Sequence, residues 1–149
     1  MVVATVHGLE MLFRRGAALD LDKSDIRRLE QLLERTLREM LIRAEANARA
    51  NGRDIVQPWD LPLTNGLQRR IHDFRLLDAE LRLTGHLRQL VGLPPIDLAY
   101  GEETEARLAE IAGGLCLALG QCFRILDEKL KNPNGDHWQR AERLFELLL

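Results

Sequence analysis

The chain has few of the side chains on which cross-linked or reactive sites are built. Its 149 residues include two cysteines, one serine and three lysines, and aromatic residues make up only 5%. Cys116 and Cys122 lie six positions apart in an apolar stretch with helical spacing. At a rise of about 1.5 Å per residue their sulfurs are too far apart for a disulfide, so we expect small buried side chains in a reducing cytoplasm.

Residues that could catalyse a reaction or bind a metal are scattered. Ser24 lies where a helix should begin, so helix capping explains it. The histidines have no second His or Cys at ligand spacing; they are His7, His72, His86 and His137. The acidic run from Glu102 to Glu105 suits a helix N-terminus, with a metal site as the alternative. We therefore predict a protein without enzymatic activity: no catalytic residue, no metal, no cofactor and no small-molecule substrate.

Export and membrane segments are also missing from the pattern. The first seven residues have no cationic stretch followed by an apolar one, and no run approaches the ~20 apolar residues of a membrane span. We expect a cytoplasmic protein that has no membrane partner.

Leucine-rich helical periodicity dominates the rest of the chain and predicts an all-α fold. A short helix is expected from Leu9 to Ala17, and the alternation from Leu19 to Leu21 suggests a brief strand. A long helix follows to Asn51, capped by Asp22 or Ser24. Its apolar stripe is Ile26, Leu29, Leu33, Leu37, Met40, Ala44 and Ala48.

The second part of the chain repeats this plan. Ile96 to Leu98 echoes the 19–21 segment, and a second long helix is expected over 102–129. Asp136 with Gln139 should cap a last helix that begins at His137. Trp59 and Trp138 each open a short helix, and we expect both to pack onto the long helices.

A further helix separates the two repeats. After a break at Gly66, the apolar spacing of Leu67, Ile71 and Phe74 predicts a linker helix, and Leu93-Pro94-Pro95 should end the helix that follows. We therefore expect one compact domain over residues 1–149. It divides into a first half over 1–66, a linker helix region over 67–79 and a second half over 80–149.

Two adjacent glycines interrupt the apolar stripe of the second long helix. Each glycine inside a helix costs about 1 kcal/mol relative to alanine, so Gly113 and Gly114 should bring a compensating gain. Close approach of the first long helix near Leu33, Leu37 and Met40 is the expected gain. A local kink is the alternative.

The loop after the first long helix carries the most informative spacing. Gly52 ends the helix, Ile55 and Val56 form an extended bridge, and Pro58 occupies the first position of a new helix. Arg53 precedes Asp60 by seven positions, and we predict a structural ion pair between them.

These features resemble a small prokaryotic family of single-chain histone-fold proteins. The strings that carry the resemblance are Leu19 to Lys23, Asn47 to Asp54, Asp60-Leu61-Pro62, Phe74-Arg75, Leu93-Pro94-Pro95 and Lys131-Asn132-Pro133. The resemblance covers essentially the whole chain. It implies an all-α histone fold in which two tandem histone-fold halves pack as an intramolecular pseudodimer.

The resemblance also implies that each first loop pairs with the second loop of the other half. Leu19 to Leu21 would lie beside Lys131 to Asn134, and Ile96 to Leu98 beside Arg53 to Val56. The second half departs from the pattern, because Lys131 and Gln139 stand near the positions of the Arg and the Asp. Its loop must be held in another way.

The charge distribution argues against tight DNA binding. Residues 1–66 carry ten basic and ten acidic side chains, and residues 67–149 carry 11 and 13. We therefore predict a histone-like protein-association module with a protein partner or self-association. The alternative is a weak, nonspecific DNA-binding protein, of the nucleoid-associated kind, that uses Arg14, Arg15, Lys23, Arg53, Lys129 and Lys131.

Overall fold

The computed structural model describes residues 3–90 and 98–149, and this part of the chain is predominantly helical. The elements in order are α1 (Val3–Ala17), α2 (Lys23–Ala50), β1 (Ile55–Val56), a 3-10 turn (Pro58–Asp60), α3 (Asn65–Leu81), α4 (Thr84–Leu90), β2 (Ala99–Tyr100), α5 (Glu102–Leu126) and α6 (Gly135–Leu148). The expected all-α class is confirmed. The boundary that we placed at Leu93 to Pro95 lies outside the described residues.

Helix α5 forms the centre of the molecule, because all the other helices contact it. Its residues from Ile111 to Leu117 are buried on every side, as in a helix that is surrounded by others. By length and composition alone α5 could cross a membrane, contrary to our expectation for every segment. However, 67% of its most apolar 18-residue window is buried inside the fold, as in the core helix of a soluble protein.

The glycine pair of α5 meets α3, and our prediction that it meets α2 is wrong. A Cβ at Gly114 would lie 2.6 Å from Cγ1 and 3.0 Å from the backbone nitrogen of Ile71, and a Cβ at Gly113 would overlap the ring of Phe74. The missing side chains therefore let α3 approach α5 closely, which offsets the propensity cost of glycine. The linker helix is thus a packed core element.

Helix α1 approaches α5 in the same manner one face further around. A Cβ at Gly120 would lie 2.7 Å from the Cβ of Ala17, and Leu117 fills the space over Gly16. Small residues on both helices bring the two backbones together here, and the sequence analysis did not single them out.

Helix α2 begins and ends as its sequence predicts. The Asp22 carboxylate accepts from the Asp25 amide at 2.9 Å, and Asp25 accepts from the Asp22 amide at 2.9 Å, so the two form a capping box. The helix ends at Ala50, and Gly52 then adopts a φ of +69°, which glycine tolerates best.

Both loop pairings occur, with different detail. The Asp20 amide donates to the Lys131 carbonyl at 2.7 Å, and the Asn132 amide side chain donates to the Asp20 carbonyl at 2.8 Å. No strand forms over 19–21. On the other side β1 runs parallel to β2, pairing Ile55 with Ala99, so the contact lies beyond the predicted 96–98 segment, of which residues 96 and 97 are outside the described part.

Several predicted helix ends need correction. Helix α5 ends at Leu126, helix α6 begins at Gly135 under an Asn134 cap, and the helix expected at Pro58 is only a 3-10 turn. Thr64 caps α3 by accepting from the Leu67 amide at 3.1 Å, so Gly66 lies inside that helix. Polar side chains that accept from free amides displaced these boundaries by a few residues.

Candidate interaction surface

The Arg53–Asp60 pair holds the loop after α2. The guanidinium donates to both carboxylate oxygens, at 2.5 and 2.6 Å, and the Gln57 amide donates to Asp60 at 2.8 Å. The Asn47 side chain also donates to the Asp60 carbonyl, at 2.8 Å. Hydrogen bonds from Arg53 hold the pKa of Asp60 below its usual value, despite its burial. Arg53 is thereby committed to the fold and is not free to bind a ligand.

The two tryptophans have opposite environments. Trp138 is buried as expected, but Trp59 is 72% exposed, so our prediction that it packs onto a long helix is wrong. The 3-10 turn points the Trp59 ring outward, with the Arg53 guanidinium 5.9 Å from its centroid. The turn is too short to bury both Asp60 and Trp59, and the ion pair selects Asp60.

Trp138 fixes the other loop pair. Its indole N–H donates to Asp25 at 2.7 Å, its ring meets Phe123 edge-on at 5.1 Å, and the Arg28 guanidinium lies 5.7 Å from its centroid. Burial raises the pKa of Asp25, and this outweighs the hydrogen bonds that favour its charged form. This contact joins α6 to the start of α2.

Arg124 holds the 127–131 loop, where the resemblance left the support open. Its guanidinium donates to the carbonyl of Glu128 at 2.7 Å and to the carbonyl of Leu130. It therefore ties the end of α5 to the chain that follows. Lys131 and Gln139, which stand near the positions of an Arg and an Asp, are both exposed.

Three of the six candidate DNA contacts are neutralised by carboxylates. Arg14 pairs with Asp20 at 3.1 Å, Arg15 with Glu80 at 2.8 Å and Arg53 with Asp60. Lys23, Lys129 and Lys131 are exposed and have no ion pair within the described part of the chain. The six side chains therefore do not form one uninterrupted cationic surface.

A groove of about 570 Å³ lies between α2 and α6. Apolar side chains line its floor and one edge, and charged side chains of both signs surround it. Ile42 is 57% exposed at the edge, and Arg35 and Glu146 approach to 4.0 Å across it. We call this the α2–α6 groove; its lining residues are Leu32, Arg35, Thr36, Glu39, Met40, Ile42, Arg43, Ala46, Pro62, Phe145, Glu146 and Leu149.

The sequence analysis missed this groove, although Ile42 carried a signal. Ile42 directly follows Met40 and Leu41, which occupy the buried stripe of α2, so it must lie outside that stripe. An apolar residue on the solvent side of an otherwise charged helix face is a candidate contact residue.

The groups expected to be unreactive have structural environments. Complete burial raises the pKa of the Cys116 thiol to about 12, so it stays protonated at neutral pH. His86 contacts Thr5 at 3.4 Å, and His137 accepts from the Asn134 amide at 3.1 Å. Across residues 3–90 and 98–149, no three His, Cys, Asp or Glu side chains are grouped closely enough to hold a metal ion.

These features define a class of protein: a single-chain, all-α protein whose long core helix is enclosed by the others. The chain belongs to the family described as DUF1931, a domain of unknown function, whose model matches residues 9–146.

Similar proteins come from thermophilic bacteria. A crystal structure from Thermus thermophilus is 44% identical, covers 97% of each chain and has a TM-score of 0.86. A crystal structure from Aquifex aeolicus is 22% identical, covers 97% of this chain and 95% of that one, and has a TM-score of 0.83, so that likeness shows the fold alone.

Two curated relatives from Aquifex aeolicus (strain VF5) are described as uncharacterized proteins. The first is 28% identical over 109 residues, which are 73% of this chain and 64% of that protein. The second is 29% identical over 149 residues, covering 91% of this chain and 83% of that protein. The chain therefore spans less than two thirds of the first relative.

Proposed function

We propose that the chain is a histone-fold pseudodimer. Its second half, with a short helix, a long helix and a short helix in α4, α5 and α6, supports this, as do the two loop pairs that join opposite halves. The first half follows the plan with α1 and α2, but a 3-10 turn and α3 replace its single short third helix.

We further propose that it is a non-enzymatic, cytoplasmic module whose role is protein association. The observation that carries this proposal is the α2–α6 groove, which combines an apolar floor with charges of both signs. An apolar centre within a polar rim is the usual composition of a protein interface. A partially exposed isoleucine at the edge is suited to burial by a partner.

Weak DNA binding is the second candidate. Lys23, Lys129 and Lys131 favour it, because they lie beside the paired loops and are exposed. Three lysines would release few counterions, so such binding would be weak and would fall steeply with salt. The adjacent Asp20 and Asp22 would further oppose the approach of phosphate.

An apolar fluorescent probe tests the association proposal without requiring a known partner. Anilinonaphthalene sulfonate should bind the folded wild-type protein at submicromolar protein concentration, and Ile42→Lys should remove most of the signal. Ile125→Lys is the matched control, because Ile125 is 79% exposed on α5 and does not line the groove. No probe binding by the folded protein, or equal loss in both variants, would contradict the proposal.

A further inference from the structure

Charges alternate along the edge of α2 that borders the groove. Arg35, Glu39 and Arg43 follow one another at four-residue intervals, which place them on one face of the helix. Ile42 lies beside them. Within the described residues neither Glu39 nor Arg43 has an ion-pair partner, so both remain available to a partner molecule.

This pattern is complementary to itself under a two-fold rotation. At a rise of about 1.5 Å per residue, Glu39 and Arg43 lie equally far from the level of Leu41. A two-fold axis perpendicular to α2 at that level places Glu39 opposite Arg43 of a second copy, and the reverse. The same rotation places Ile42 at the level of Met40 and Ala46 at the level of Thr36, so no like charges oppose each other.

We infer that the occupant of the α2–α6 groove is a second copy of this chain, with the two α2 helices antiparallel about that axis. The inference rests on the proposed function and names the partner. A symmetric pair uses the same patch on both copies and therefore makes every contact twice. A partner with charge of one sign would instead meet a like-charged residue at either Glu39 or Arg43.

Charge reversal tests this arrangement by sedimentation equilibrium. Glu39→Arg and Arg43→Glu should each raise the dimer dissociation constant at least about tenfold, because each places two like-charged pairs across the axis. Mixing the two variants should restore association to about the wild-type level, since each heterodimer regains both attractive pairs.

A control pair lies on the same helix at the same spacing. Glu34→Arg and Arg38→Glu change exposed residues that do not line the groove, so they should leave the dissociation constant within about threefold of wild type. Circular dichroism establishes that all four variants are folded.

Each other outcome would overturn the inference. A wild-type monomer at all concentrations excludes a second copy, while binding of the apolar probe would still support association with another protein. A dimer that ignores charge reversal, or variants that fail to associate when mixed, would exclude the two-fold arrangement alone.

Discussion

At the scale of single residues, the loop after α2 depends on a carboxylate that is 3% exposed and accepts three hydrogen bonds. Asp60→Asn keeps the shape but leaves the Arg53 guanidinium without its charged partner. We expect the free energy of unfolding to fall by about 1–3 kcal/mol at pH 7, measured by urea denaturation. The exposed Asp54→Asn is the control, and an equal effect of both changes would contradict this account.

The same pair predicts a pH dependence. Because the pKa of Asp60 is lowered in the folded state, its stabilising contribution is complete above the unfolded value of about 3.9. The contribution is lost as the pH falls from that value through the folded pKa. The stability difference between wild type and Asp60→Asn should therefore be constant near neutral pH and shrink below about pH 4. A difference that grows in acid would contradict the prediction.

The tryptophans provide a matched comparison. Trp138→Phe removes the donor to the buried Asp25 carboxylate, so the free energy of unfolding should fall by about 1–3 kcal/mol. Trp59→Phe changes an outward-facing ring and should remain within about 0.5 kcal/mol of wild type. Thermal unfolding measures both, and equal losses would refute the assignment of a structural role to Trp138 alone.

At the scale of elements, the glycine pair sets the distance between α3 and α5. Gly114→Ala gains helix propensity, but its Cβ meets backbone atoms of Ile71 at 3.0 and 3.2 Å, which cannot move independently of α3. We expect the steric cost to prevail, with a net loss of about 1–3 kcal/mol in the free energy of unfolding.

Gly66→Ala is the control for this prediction. A Cβ at Gly66 would meet nothing within 4 Å, so the substitution should raise stability by up to about 1 kcal/mol through helix propensity. If Gly114→Ala were also stabilising in denaturant titrations, α3 and α5 would not be packed as closely as described.

The elements that sequence predicts well are those fixed by local chemistry. The capping box of Asp22 and Asp25, the end of α2 near Gly52 and the Arg53–Asp60 pair each involve residues at most seven positions apart. The partner of Gly114 could not be read in this way, because several apolar helix faces were equally suitable and the packing of α3 decides among them.

The candidate surface was harder to predict for the same reason. Ile42 has an unusual position on α2, but the groove also requires α6 to lie alongside, and only the folded chain brings Phe145 next to Met40. The cations show the converse limit. Arg15 is unpaired in any local pattern, whereas its partner Glu80 lies 65 positions away.

At the scale of the whole molecule, the formal charge of −2 and the internal pairing of Arg14, Arg15 and Arg53 leave little attraction for a polyanion. A histone-like fold does not by itself provide a histone's affinity for DNA, because the fold supplies the scaffold and the surface supplies the binding. The proposed role in protein association depends on this distinction.

Titration of fluorescent duplex DNA at about 150 mM salt tests that distinction most directly. We predict a dissociation constant no tighter than the ~10⁻⁴ to 10⁻⁶ M of nonspecific contact, weakening steeply as salt is added. Any residual binding should weaken when Arg14, Arg15 and Lys23 are changed together. Submicromolar binding at this salt concentration would contradict the account and make DNA binding the leading function.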